Sequence, residues 1–379
     1  MKIRVLHVID HLGYGGAPFV VKNVVERMPA DQVESYICAL RPNPRPLPVD
    51  APVITLKSGK YSLAAIRAIA SICKERGIDI VHAHLQKAVI SSLLARPRFA
   101  GTLVLHEHGP IFRDGTGCVY RWFFRRFGSR ADAILANSQA AAAAVKQAMG
   151  DPHVPVAVVP NFIDFERFDP DRYDRDTVRE SLGLAKDRFV VGFVGRLDRA
   201  KGVDLLVDAA AKLPREGKPW CIYLVGDGPE KGPLADRIRR LRVERTVVLA
   251  GLHENSAAVM RAFDAVVVPS RREAFGIAAL EAMRMQVPVI ASPVGGLPEL
   301  IHDGETGILL PRLGAETIAQ AIRRLAQDER LREKLSRNAF EFAGRFDGGR
   351  VVQQIVEIYQ RLTASKKREN GTQGQTRGA

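Results

Sequence analysis

Twice along this chain, short apolar runs rich in β-branched residues alternate with longer stretches of helical periodicity, and no other feature limits the fold so strongly. In the first half, Ile3–Ile9, Glu34–Leu40, Val53–Leu56, Ile80–Ala83, Thr102–His106, Ala133–Asn137 and Val156–Val159 read as strands. Between them, Ser62–Arg76 sets Leu63, Ile66, Ile69 and Ile72 on one side of a helix and Arg67, Lys74 and Glu75 on the other. Near-continuous apolar strands joined by helices indicate a parallel sheet covered on both faces. The charged stretch Phe165–Asp187 interrupts the pattern. It then restarts with Phe189–Val194, Trp220–Val225, Thr246–Leu249, Ala265–Val268, Pro288–Ala291 and Gly307–Leu310. The expected class is α/β with two Rossmann-like domains, at 1–165 and 188–345, joined by a linker at 166–187. A helix over 346–364 is expected to cross back to the first domain, and the polar segment 365–379 to form a disordered tail.

Apolar residues make up 46% and charged residues 26% of the 379, which excludes disorder for the bulk of the chain. No apolar run is long enough to span a membrane, and the first ten residues lack the apolar core of a signal peptide, so a cytoplasmic location is expected. Cys38, Cys73, Cys118 and Cys221 show no CxxC spacing, which argues for isolated reduced thiols over a zinc knuckle or a disulfide framework. The net charge is +14, and residues 1–160 carry 20 basic against 11 acidic side chains. A field of that sign attracts phosphorylated small molecules, nucleic acid or an acidic lipid surface without choosing among them.

In open α/β sheets ligands bind beyond the carboxyl ends of the strands. The segments after the strands therefore hold the candidate site, and a cleft between the two domains is the expected location. The first strand leads into Gly13-Tyr14-Gly15-Gly16-Ala17-Pro18, either a plain tight turn or a loop whose N–H groups approach a phosphate. Neither G-x-G-x-x-G nor a P-loop is present, which weakens nicotinamide and P-loop readings. In the second half, Arg196 and Lys201 lie five apart across a turn and could reach one anion together. Glu273 and Glu281 are eight residues apart; on one helix they would share a face about 12 Å apart, suited to a polyhydroxylated ligand. Phe275 and Gly276 could offer N–H groups at the helix's positive end. The strand-end pairs His82/His84 and His106/His108 could each chelate a metal. With no cysteine nearby and few carboxylates, hydrogen-bonded histidines or one catalytic group are the favoured reading. The acidic Asp169-Pro170-Asp171 falls in the charged segment, away from any strand, which disfavours it as a metal-binding D-x-D.

Taken together, GGAP, HEHG, ADAILANSQA, VVPNFID, GRLDRAKGVD, GDGP, and PSRREAFGIAALEAM followed by VPVIASPVGGLPELI closely resemble the family-four GT-B glycosyltransferases, from residue 1 to about 362. These are retaining enzymes that use nucleotide-activated sugars on a fold of two Rossmann-like domains facing each other across a cleft. The resemblance implies that Arg196 and Lys201 hold the donor diphosphate and stabilise the charge that builds on it as the glycosidic bond breaks. Glu281 would bind the ribose, Glu273 the sugar hydroxyls, and the N–H groups of Phe275, Gly276 and Ile277 the sugar–phosphate edge. Gly15 and Gly16 would approach the β-phosphate, His108 would contact the donor sugar near the reacting carbon, and Gly226 and Gly228 would form the nucleotide-side loop. No metal or other cofactor is implied, because the cations are built in. Gln286 stands where glycine is commoner before VPV, and Ala274 where glycine often precedes FG; neither change removes a functional group.

The implied donor is a UDP- or GDP-sugar, and the implied acceptor a polysaccharide, lipid-linked or lipopolysaccharide-type glycan. Residues 112–130 hold Phe112, Tyr120, Trp122, Phe123, Phe124 and Phe127 among five arginines, a composition able to lie on an anionic membrane surface or to pack on the sheet with its arginines in water. A nucleotide-sugar epimerase or glycan phosphorylase on the same fold is the enzymatic alternative. A basic nucleic-acid-binding protein is an alternative of another class, disfavoured by the lack of any nucleic-acid-reading motif.

Overall fold

A computed structural model of the chain describes residues 2–13, 15–57, 62–108, 117–150, 153–214 and 219–375, without the side chains of 117–119, 367 and 369–375. The chain divides into two units, Met1–Phe162 with Gly348–Ala379, and Ile163–Asp347.

In the first unit β1 (Ile3–Ile9), β2 (Val33–Ala39), β3 (Val53–Thr55), β4 (Ile80–His84), β5 (Thr102–Glu107), β6 (Ala133–Ala136) and β7 (Val156–Val158) form one sheet in the order β3-β2-β1-β4-β5-β6-β7. Every pairing is parallel. The strand order reverses direction between β1 and β4, which opens a crevice at their carboxyl ends. Leu6, Val8, Val81, Ala83, Leu103 and Leu105 bury one face against the helices Leu63–Arg76 and Gln86–Ala95. The first of these helices starts where Ser62 accepts a bond from Ala64 N–H and stops at Gly77, in the left-handed conformation.

The C-terminal helix Gly348–Gln375 belongs to this first unit. Val352, Ile355, Val356 and Tyr359 recur at helical spacing and are buried, and Gln354 donates to the Val158 carbonyl at 3.1 Å. The helix continues into the segment expected to be a disordered tail. Its Lys, Arg and Glu residues are good helix formers, extension of an existing helix is cheap, and Lys366 Nζ reaches the Gly101 carbonyl at 3.1 Å.

In the second unit β8 (Phe189–Val194), β9 (Trp220–Val225), β10 (Val247–Gly251), β11 (Ala265–Val268), β12 (Val289–Ala291) and β13 (Ile308–Leu309) form a parallel sheet in the order β10-β9-β8-β11-β12-β13. The reversal here falls between β8 and β11. Residues 166–187, expected as a linker, are packed into this unit. Phe168 is buried, and Arg179 and Arg175 both reach Asp264, at 2.6 and 2.5 Å, while Val190 N–H donates to the same carboxylate at 2.7 Å. Charges that looked solvated in the sequence thus converge on one acceptor brought from far along the chain.

Candidate active site

The second unit's crevice is built by the segments that leave β8 and β11 at their carboxyl ends. After β8 the chain turns through Gly195 and Arg196 to Asp198, whose side chain accepts from Lys201 N–H at 3.2 Å and caps the short turn Arg199–Lys201. After β11 comes Pro269–Gly276. The two segments are tied together. Arg271 N–H donates to the Ala200 carbonyl at 2.7 Å, and its guanidinium forks onto Asp204 at 2.6 and 2.7 Å. On this scaffold Lys201 Nζ meets Glu273 Oε2 at 2.7 Å, and Ser270 Oγ donates to the same oxygen at 3.1 Å.

Glu273 does not lie on the helix that carries Glu281, so the one-face spacing expected for the pair does not hold. The helix spans Ile277–Arg284 and begins at Gly276, whose φ of 106° breaks any continuation toward Glu273. Phe275 is buried in the core, and the N–H groups of Phe275, Gly276 and Ile277 donate to no backbone carbonyl among the described residues. They are the unpaired donors of a helix start, at its positive end. Glu281 is half-buried on the helix, and burial raises its carboxyl to about 7 against the opposing pull of Arg167. Arg196 is held loosely: its side chain is 70% exposed and its Nε stands 3.5 Å from Asp198 Oδ2, so it is free to swing toward an anion.

Gly226 and Gly228 do their visible work through the backbone. A Cβ on Gly226 would sit 1.8 Å from the Gly195 carbonyl oxygen, and one on Gly228 2.3 Å from that of Leu197. Both thus let the segment after β9 lie against the one carrying Arg196. Sequence reasoning missed three contributors: Asp198, Ser270 and Gly295. Asp198, three before Lys201, has the spacing of a cap. Ser270 gave no signal beyond its place at a strand end. Gly295 belongs to a Gly-Gly pair, and its Cβ would sit 1.6 Å from the Glu273 carbonyl oxygen.

In the first unit, β1 ends at the crevice between β1 and β4. Gly15 caps the helix Gly16–Arg27, whose first turn carries no acidic residue, so its positive end is not neutralised locally. Both glycines are exposed. His108 follows β5; its Nε2 lies 2.9 Å from His84 Nδ1, its Nδ1 is buried, and Asn137 donates to its carbonyl at 3.3 Å. Burial lowers His108 to about 4. As folded, Nδ1 is shielded from solvent and Nε2 faces His84, which residue type alone could not show.

Of the aromatic–arginine stretch, residues 112–116 lie outside the described residues. In the helix Gly117–Phe127, Tyr120 and Phe124 are buried, Tyr120 donating to buried Glu107 at 2.6 Å, while Trp122 is 63% exposed beside exposed Arg121, Arg125 and Arg126. Asp169 accepts from Asp171 N–H and caps its own turn. Cys38, Cys73 and Cys221 are free and buried; the side chain of Cys118 lies outside the described residues.

Two doubly wound parallel sheets, each with anion-ready groups at its point of strand reversal, define the GT-B class of glycosyltransferases. The group 1 glycosyl transferase family matches residues 174–342, and glycosyltransferase family 4 matches residues 14–167. A D-inositol 3-phosphate glycosyltransferase of Actinosynnema mirum is 36% identical over 303 residues, covering 74% of this chain and 72% of the relative. HepE of Anabaena, solved with UDP and with UDP-glucose, superposes with a TM-score of 0.80 at 26% identity, over 95% of this chain and 100% of HepE. WaaG, a glycosyltransferase involved in lipopolysaccharide biosynthesis, shares the fold with a TM-score of 0.76 at 18% identity, over 94% of this chain and 99% of WaaG. The chain belongs to the family-four GT-B glycosyltransferases.

Proposed function

We propose that the protein transfers a hexose-type sugar, with retention of configuration and without a metal ion, from a UDP- or GDP-sugar to a glycan or glycolipid acceptor. The observation that carries this reading is the built cation at the second unit's strand reversal: Lys201, fixed by Asp198 at its backbone and by Glu273 at its ammonium, with exposed Arg196 in the same segment after β8. Two positive groups where a leaving diphosphate gathers charge supply the stabilisation a metal would otherwise give. Glu273 then exchanges part of its bond to Lys201 for sugar hydroxyls, and the N–H groups of Phe275, Gly276 and Ile277 bind the phosphate edge. Glu281 takes the ribose. The phosphate leaves toward the cations and accepts the proton of the incoming acceptor hydroxyl on the same face of the sugar, so no protein base is needed.

Thermal stabilisation by UDP-, GDP- and ADP-sugars identifies the base and sugar, since only a bound donor raises Tm. The product's anomeric configuration by NMR tests retention. Activity should persist in EDTA, and inversion or a strict manganese requirement would overturn the corresponding part. The naming of the Actinosynnema relative favours a second acceptor, a phosphorylated cyclitol, which belongs in the same panel.

Peripheral attachment to an anionic membrane is part of the reading, supported by exposed Trp122 among Arg121, Arg125 and Arg126. The expected result is cosedimentation with vesicles containing anionic lipid at low salt, reversed by added salt and weakened in Trp122→Ala. Absence of binding at low salt would remove it.

A further inference from the structure

The first unit holds a cavity of about 290 Å³ at the carboxyl ends of β1, β2 and β3, lined among others by Leu12, Arg41, Asn43, Leu47, Val53 and Thr55. Its walls are tied. The segments that leave β1 and β2 continue side by side, Arg41 N–H donating to the Asp10 carbonyl at 3.1 Å and Leu47 N–H to the Leu12 carbonyl at 2.8 Å. Asn43 packs against Gly13, where a Cβ would come within 2.3 Å of its Nδ2. Leu12 and Leu47 are buried and supply apolar surface, whereas Arg41, Asn43 and Thr55 bring polar groups.

Charge is distributed unevenly around this cavity. The Asp10 carboxylate accepts from Arg41 Nη2 at 2.9 Å on the β2 side and from Lys87 Nζ at 3.1 Å on the β4 side. Two cations on one carboxylate leave a positive charge unanswered. The Arg41 side chain is 43% exposed, and its guanidinium makes no other hydrogen bond among the described residues, so donors remain for a ligand. No acidic side chain lines the cavity among the described residues. Such a place attracts an anion, and its apolar wall suits the C–H face of a ring. At this volume it lies at the small end of ligand pockets, with room for one ring-sized group rather than a length of glycan. It shares its end of the sheet with Gly15, Gly16 and His108, and Asp10 stands at the strand reversal between β1 and β4, where open α/β sheets take their ligands.

We infer that this cavity seats a sugar or cyclitol ring of the acceptor and that Arg41 recognises an acidic substituent on it, a carboxylate or a phosphate, so that anionic acceptors are selected over neutral ones. The role as acceptor site rests on the proposed sugar transfer; recognition of the anion by Arg41 does not. Arg41 acts on specificity and not on the reacting atoms, and Lys87 holds Asp10 while the guanidinium turns part of its fork to the ligand. General attraction to a chain of net charge +14 is the competing explanation. Arg45 separates the two: it is exposed, lies four residues from Arg41 and does not line the cavity.

The test is ligand-observed NMR titration of the full chain, without donor, using two pairs of probes: glucuronate against glucose, and myo-inositol 1-phosphate against myo-inositol. In at least one pair the anion should bind about tenfold tighter than its neutral counterpart, the scale of one charge-assisted hydrogen bond, and the pair that shows it names the acidic group. Arg41→Gln should abolish that preference. Val53→Trp, at a position 42% exposed on the cavity wall, should weaken both members of the pair by filling the space, and Arg45→Gln should change neither. Where the favoured anion accepts sugar, Arg41→Gln should raise its KM about tenfold with donor KM unchanged. Thermal melts report whether the variants fold, and Val53→Trp carries the test should Arg41→Gln not fold. Failure of both anions to bind, equal binding within both pairs, a preference that survives Arg41→Gln, or one lost equally in Arg45→Gln would each overturn the inference. Anion binding through Arg41 in a chain that transfers no sugar from any donor would end the proposed function and leave this site standing; transfer to neutral acceptors alone, indifferent to Arg41, would end only the inference.

Discussion

Lys201 shows how one side chain is prepared for an anion before any anion arrives. Its pairing with Glu273 at 2.7 Å keeps the ammonium oriented, and with 31% of the side chain exposed the pair adds little to stability. Lys201→Ala should therefore lower kcat by about 10²–10³, the scale of losing one transition-state contact, while shifting Tm by only a few degrees. Steady-state kinetics beside a thermal melt checks it, and near-native kcat would remove Lys201 from the chemistry. At this scale the residue types were legible: a cation pair and two acids after strands mark an anion and polyol site. Their partners were not. Ser270 and Asp198 act by where they stand, and His108 reads as a hydrogen-bonded or catalytic strand-end group whose partner, His84, only the fold supplies.

Elements carry the site through close backbone approach. Gly295 has φ +56° and stands where a Cβ would lie 1.6 Å from the Glu273 carbonyl oxygen, whereas Gly304, at φ +73°, has open space around it. Gly295→Ala should displace Glu273 and cost several kcal/mol, with activity lost beyond what stability explains. Gly304→Ala should cost about 1 kcal/mol and leave kcat intact. Denaturant melts and kinetics on the two variants separate clash from backbone strain. Strands were legible to within a residue or two because burial on both faces leaves them almost wholly apolar. The helix start at Gly276 was not, because the glutamate spacing fits a helix and only the left-handed turn breaks it. Gln286, at φ +56°, holds a left-handed conformation that glycine adopts without strain, a feature of the turn that its residue type did not announce.

Across the whole molecule the buried titratable groups set an acid limit. His7, His82, His84, His106 and His108 are depressed by burial, His7 to about 3 and His108 to about 4, so the unfolded chain binds their protons first as pH falls. Their stabilisation is complete above the unfolded value of about 6.5 and is lost as pH falls through the folded values, at about 1.4 kcal/mol per pH unit per proton. Glu107 and Glu281, raised to about 7, act oppositely: their contribution is complete below the unfolded value and is lost as pH rises through 7. The histidines outnumber them, so urea stability should fall from pH 6.5 to 4.5, and Glu107→Gln should steepen that fall. Higher stability on acidification would contradict the neutral cluster.

By itself the sequence determined that the chain forms two wound α/β halves, that the groups after their strands suit a phosphorylated ligand, and that the C-terminal helix has an apolar stripe to bury. Periodicity is local, and it states which face a residue takes. Strand order and register are long-range, set by which sheet edges and helix faces bury together, and only the folded chain decided them. That choice placed the reversals beside Lys201 and Glu273, drew 166–187 onto Asp264, and set His7 against residues more than seventy positions away, where burial keeps the imidazoles neutral.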